Sequence, residues 1–259
     1  MEKVTSKDGT SIAYDRLGEG PALILVGGGS VDRQSNAGLA AILASDFTVF
    51  NYDRRGRGDS GDAPEYAIER EFEDIEALIK EAGGTAFLYG TSSGAVLARE
   101  ATASGLPVTK LGLWEPPYIL EGGRERPPAD TASIYREMVS SGRRGDAVEY
   151  FMTKVVGLPD EFASFARTQP WWQGQEAIAH TLAYDATIMG DYSLPTERAA
   201  SVTVPTLVMD GGASYDWIRT TAQTLADLLP NGTHRTLEGQ THDVSPDVMA
   251  SVLTEFFKG

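Results

Sequence analysis

Ser92 stands at the centre of Gly90-Thr91-Ser92-Ser93-Gly94, between an apolar run, Phe87-Leu88-Tyr89, and an alanine-rich stretch that starts at Ala95. A glycine-x-serine-x-glycine pattern between a buried strand and a helix is the signature of a sharp turn that pushes the serine hydroxyl out of the backbone. Gly90 and Gly94 are expected because a side chain at either place would collide with the neighbouring strand or helix. The helix over about 95–104 points its positive end at the serine, which favours negative charge developing there. A serine hydroxyl is a poor nucleophile until a base takes its proton, and near neutral pH that base is a histidine. The chain has three histidines. His180 falls in a helical region and His234 at the start of a strand. His242 falls in the loop after the last strand, where a base can reach the turn. The chemistry these residues suggest is attack of Ser92 on a carbonyl with His242 as base.

Such residues are far apart in sequence, so the elements must bring them together. Pro21-Ala22-Leu23-Ile24-Leu25-Val26 reads as a strand buried on both faces. It runs into Gly27-Gly28-Gly29-Ser30, whose exposed N–H groups suit an oxyanion. Further strands are expected in a hairpin around Asp8-Gly9 and at 47–52, 108–114, 205–210 and 233–237. Helices are expected at 33–45, 69–82, 216–229 and 246–257. Alternating strands and helices predict a mostly parallel sheet covered on both faces, with ligands at the carboxyl ends of the strands. Ser92, Glu115, Gly28 and His242 all fall just after strands. The polar turn Asp53 to Ser60, taken alone, reads as a solvated loop. From Tyr118 to about Val204 the strand pattern stops, and helices are expected near 129–142, 145–157, 160–168 and 172–189. This predicts a core of 1–117 and 205–259 with an inserted helical cap, 118–204. Most aromatic residues of the insertion are expected in its own small core. Trp171 and Trp172, with Gly29 of the glycine loop, are the candidates for contact with substrate.

Composition narrows the class. The 259 residues are 41% hydrophobic, enough for one sizeable core. There is no cysteine, which excludes disulfides and thiolate metal sites. Twenty-two basic against 37 acidic side chains leave a charge of −15, a surface that repels nucleic acid and anionic membranes. No apolar run approaches the roughly 20 residues of a bilayer span, and the first residues are polar. A cytoplasmic protein with a small-molecule partner, and neither nucleic acid nor membrane as partner, is the expectation.

The glycine loop, the Asp53 to Ser60 turn, the Gly90 to Gly94 elbow, the helical insertion and the His242 loop, in this order, resemble the α/β-hydrolase fold over almost the whole chain. The resemblance implies an eight-stranded sheet and, by position, an oxyanion hole made by the N–H groups of Gly28 and Ser93, with Gly29 as a substitute for Gly28. Two features depart from the family pattern. Val26 stands where many relatives carry a histidine, and Ser214 stands where the catalytic aspartate after the seventh strand is usual. The resemblance to a subset of haloalkane dehalogenases offers Glu115, at the end of the sixth strand, as the acid. Asp216 is the alternative, and Asp210 a further one. Ser92 argues against the dehalogenase and epoxide-hydrolase reactions, which use an aspartate nucleophile. What is implied is a serine hydrolase without cofactor or metal, acting on an ester or lactone of a small, fairly apolar molecule. C–C bond hydrolysis, a lyase reaction, peroxyacid formation and ligand reception without turnover stay open on the same motifs.

Overall fold

The computed structural model describes residues 1–259. The chain begins with β1 (Glu2–Thr5), β2 (Ser11–Leu17) and β3 (Ala22–Val26), then α1 (Ala37–Leu43) and β4 (Thr48–Tyr52). Next come α2 (Ile68–Glu81), β5 (Ala86–Thr91), α3 (Ser93–Ala103) and β6 (Val108–Trp114). Six helices without a strand follow: α4 (Thr131–Ser140), α5 (Arg144–Tyr150), α6 (Asp160–Ala166), α7 (Trp172–Ile178), α8 (Leu182–Met189) and α9 (Thr196–Ala200). The chain closes with β7 (Thr206–Gly211), α10 (Asp216–Leu228), β8 (Gly232–Leu237) and α11 (Pro246–Lys258). The eight strands form one sheet in the order β1-β2-β4-β3-β5-β6-β7-β8. Only β2 runs against its neighbours; every other pairing beyond it is parallel.

The apolar runs form central strands because both faces of the sheet are covered. Along β3, Ile24 and Val26 belong to one core while Leu23 and Leu25 belong to the other, as a two-residue period requires. The larger core takes in Ile75, Leu78 and Ile79 of α2, and Ala222 and Leu225 of α10. The smaller takes in Leu39 and Leu43 of α1 with Met249, Leu253 and Phe257 of α11. Each fully buried aliphatic side chain contributes about 1.5–3 kcal/mol through removal from water. A third, separate cluster, including Tyr135, Val148, Trp172 and Leu182, holds the helices between β6 and β7 together. No helix is long and apolar enough to cross a membrane.

Three expected helices differ. The stretch 33–45 opens as a 3-10 turn, Arg33–Asn36, capped by the Asp32 carboxylate, before α1 begins. The stretch 145–157 leaves α-geometry after Tyr150 and continues as a π-helical turn, Phe151–Val156, ended by Gly157 at φ +90°. The stretch 172–189 breaks at a 3-10 turn, Ala179–Thr181, where the Thr181 hydroxyl donates back to the Ile178 carbonyl and competes with the helical ladder.

Candidate active site

The turn between β5 and α3 is built by close approach of backbone. Ser92 adopts φ +56° and ψ −126°, a conformation that costs a residue with a side chain about 1–3 kcal/mol. Its N–H donates to the Trp114 carbonyl at 2.8 Å, and its carbonyl accepts from Ala95 N–H at 2.9 Å. A Cβ on Gly90 would lie 2.4 Å from the Gly94 oxygen, and one on Gly94 would lie 2.4 Å from the oxygens of both Val26 and Gly27. Only glycine fits at either place, so the strained serine is held by its surroundings rather than by its own preference.

Glu115 follows β6 at φ +44° and is fully buried. Its N–H donates to the Met209 carbonyl at 2.9 Å. Oε1 accepts from Gly211 N–H at 2.8 Å, and Oε2 lies 2.6 Å from His242 Nδ1. Trp114 Nε1 donates to the His242 carbonyl at 3.0 Å, which ties the loop of the imidazole to the same strand end. A carboxylate at Nδ1 favours the tautomer with the proton there and leaves the Nε2 lone pair for a substrate proton. His242 is half exposed and lines the same cavity as Ser92. No hydrogen bond joins the two side chains directly; such contacts often tighten only when substrate is present.

The glycine loop packs against the elbow. A Cβ on Gly28 would lie 3.3 Å from Ser92 Cβ, and Gly29 and Ser93 line the cavity. The Gly28 carbonyl accepts from Arg57 Nη1. In a trans peptide the C=O and the next N–H point opposite ways, so the Gly29 N–H faces away from Arg57.

The polar turn after β4 is not a solvated loop, contrary to the reading of its charges alone. Asp53, Arg54, Arg55 and Arg57 are all 2% exposed or less. Arg54 grips Glu71 of α2 through Nε and Nη2, both at 2.7 Å, and donates from Nη1 to Asp185 Oδ1 at 2.8 Å. Arg57 Nη2 donates to Asp185 Oδ2 at 2.7 Å, and Ser93 Oγ donates to Oδ1 at 2.8 Å. Burial alone would raise the pKa of Asp185; the adjacent Arg57 and Arg54 outweigh it and hold the carboxyl below its ordinary value. One buried carboxylate from α8 thus meets two arginines of the β4 turn and the serine beside Ser92. Both oxygens of this buried carboxylate accept hydrogen bonds, while Arg57 Nε is left buried without a partner.

The cavity encloses about 560 Å³. Its wall is mostly apolar, with Ile119, Phe151, Val155, Met189, Tyr192 and Trp217 among its residues, and with Arg124 as its one Arg or Lys. Two expectations need correction here. Trp171 and Trp172 do not line it. Trp172 is buried in the separate helical core under the guanidinium of Arg167, and Trp171 is 45% exposed on the outer surface. Asp216, the alternative acid, lies in the first turn of α10 with a side chain 91% exposed and pairs with Arg219, not with His242. Asp210 is also engaged elsewhere, with His234. Sequence reasoning missed Asp185 and Arg124. Asp185 is 131 residues from Arg54, and no local pattern announces that contact; Arg124 stands among Glu121, Glu125 and Arg126, so its surroundings in the sequence read as a solvated charged loop and gave no signal.

Residues 23–252 match the profile of the alpha/beta hydrolase family, and the chain belongs to that family. An alpha/beta hydrolase from Sphaerobacter thermophilus DSM 20745 is 55% identical, with 99% of this chain and 100% of that one covered and a TM-score of 0.93. The uncharacterized hydrolase YraK of Bacillus subtilis (strain 168) is 38% identical over 93 residues, so the match spans only 34% of either protein. The non-heme chloroperoxidase of Burkholderia pyrrocinia is 28% identical over 286 aligned positions, 99% of both proteins.

Proposed function

We propose that the protein is a serine hydrolase that cleaves an ester or lactone of a small, fairly apolar molecule through an acyl-enzyme. The observation that carries this reading is the elbow serine and a carboxylate-held imidazole on the wall of one apolar cavity. Ser92 Oγ attacks the carbonyl carbon as His242 Nε2 takes the hydroxyl proton. The oxyanion is met by the N–H groups of Ser93 and of the glycine loop, Gly28 or Gly29. The C–O bond to the leaving group then breaks, and His242 returns the proton to the alkoxide. Water, losing a proton to His242, attacks the acyl-enzyme and frees the acid and Ser92. Glu115 holds the ring in its tautomer and stabilises the imidazolium. Residues 118–204 serve as the cap that supplies most of the apolar wall.

The test is intact-mass measurement after incubation with a fluorophosphonate, beside Ser92→Ala. A stoichiometric mass gain that the variant lacks is expected. A gain that survives Ser92→Ala, or none in protein that is folded and whose cavity binds a neutral ester, sinks the reading. The full-length relative named as a chloroperoxidase favours a second reading on the same residues, in which hydrogen peroxide replaces water and the acyl group leaves as a peroxyacid. Partition of the acyl-enzyme between acid and peroxyacid at rising peroxide concentration separates the two.

A further inference from the structure

Arg124 stands in the segment between β6 and α4, half-buried, on the wall of the cavity that holds Ser92 and His242. Its protein partners are all neutral. Nε donates to the Glu125 carbonyl at 3.3 Å, Nη1 to the Val156 carbonyl at 3.1 Å and Nη2 to the Val155 carbonyl at 2.9 Å. Its guanidinium carbon sits 5.2 Å from the centre of the Trp217 ring. The buried arginines of the β4 turn are treated differently: Arg54, Arg55 and Arg57 each reach a carboxylate at 2.8 Å or less. Burial lowers the pKa of Arg124, and no acidic side chain offsets that loss of solvent. It nevertheless stays charged across the physiological range.

A structural duty accounts for part of this. Val155 and Val156 end the π-helical turn, and their carbonyls need donors. That duty uses one N–H on each terminal nitrogen and leaves the second N–H of each without a protein partner. It does not explain a cation kept without an anion on an apolar wall, in a chain whose net charge is −15. The other charges on that wall do not compensate it. Asp185 is already held by Arg54 and Arg57, and Asp243 is exposed and forms no ion pair with Arg124. A free N–H of a guanidinium donates a charge-assisted hydrogen bond to a carboxylate oxygen.

We propose that Arg124 binds a free carboxylate of the substrate, so that the molecule cleaved at Ser92 is an acidic ester or lactone, of which the half-ester of a dicarboxylic acid is the simplest form; this rests on the serine-hydrolase reading above. Water is consumed, the ester C–O bond breaks, an alcohol leaves, and the product is a dicarboxylate and a proton. The remote carboxylate takes no part in bond making. Its role is to set which esters are held with the carbonyl at the serine.

The experiment compares aryl half-esters of succinic, glutaric and adipic acids with neutral aryl esters of butanoic, pentanoic and hexanoic acids, on the wild type, Arg124→Gln and Arg124→Lys. For the half-ester of fitting length the wild type has the higher kcat/KM. In Arg124→Gln the ratio of half-ester to neutral-ester kcat/KM falls about 10–100-fold, as loss of a charged hydrogen bond predicts, and mostly through KM. Arg124→Lys recovers part of the ratio, because it restores the charge without the fork. A wild type that prefers the neutral ester at every length overturns the proposal, as does an equal fall on both series in Arg124→Gln. Calorimetry of monomethyl glutarate and monomethyl adipate on Ser92→Ala, with and without Arg124→Gln, gives a readout independent of turnover. If no ester is cleaved but half-ester binding needs Arg124, the hydrolase reading fails and the carboxylate site stands. If binding is the same in both proteins, the carboxylate site fails whatever the turnover.

Discussion

Each of the three histidines meets a carboxylate, His180 that of Asp62, and the other two pairs sit one strand apart. His242 meets Glu115 after β6, and His234 of β8 meets Asp210 of β7. Both carboxylates are fully buried and both contacts are short. The differences lie in what surrounds them. Glu115 has a second partner in Gly211 N–H, whereas Asp210 Oδ1 has none. The His242 ring is 52% exposed and opens on the cavity of Ser92; the His234 ring is 18% exposed and does not line that cavity. The same pair of residue types is therefore a candidate for proton transfer in one place and an internal brace in the other. What separates them is access to a nucleophile and to substrate.

Substitution of each imidazole is the strongest way to break this contrast. His242→Ala is expected to lower kcat/KM for any ester the protein cleaves by about 10⁴-fold or more, with little change in the urea midpoint. His234→Ala is expected to do the reverse. It strips Asp210 of its partner and costs about 1–3 kcal/mol of stability, while the folded variant keeps its activity within about twofold. Activity that survives the first change and vanishes with the second would exchange the two assignments. The next effect in size belongs to the carboxylates. Glu115→Gln places an amide N–H against Nδ1, forces the wrong tautomer and should reduce kcat by about 10³–10⁴-fold at nearly unchanged KM. Asp210→Asn, followed by the same assay, should leave kcat within about threefold. The smallest effect sharpens the choice of acid: Asp216→Asn should leave both steady-state kinetics and melting midpoint essentially where they are. A hundredfold loss there would reopen the assignment to Glu115.

The parts legible in the sequence are those set by local chemistry. The elbow shows because two glycines and a serine at fixed spacing answer a local steric demand, and the central strands show because continuous apolar runs have few other solutions. The loop of His242 follows from counting strands. Glu115 was readable only through likeness to relatives, since its partners Gly211 and His242 come from the ends of strands that meet it in space alone. The buried arginine turn misled for the same reason: charge in a glycine-rich turn reads as solvated until Glu71, Asp74 and Asp185 arrive from other helices. The two adjacent tryptophans misled differently. In the helical segment a large aromatic side chain serves its own core as readily as a pocket, and composition does not tell which of its faces is turned to the core. The end of the π-helical turn was also hidden, because its carbonyls are met by Arg124, which lies outside the window of any helical period.

The sheet order carries one more implication. β5, which presents Ser92, lies inside the sheet with a paired strand on either side, whereas β8, which leads to His242, is one of its two edge strands. β8 alternates between exposed and half-buried residues over most of its length and has a hydrogen-bonded neighbour only in β7. Openings of such margins take less free energy than global unfolding. Detachment of this border strand would release one side of the His242 loop, leaving it on its ties to Trp114 and Glu115 beside a serine that had not moved. On heating, loss of the proposed activity is therefore expected at a lower temperature than loss of the bulk helical signal, because the grip of the last strand and closing helix fails first.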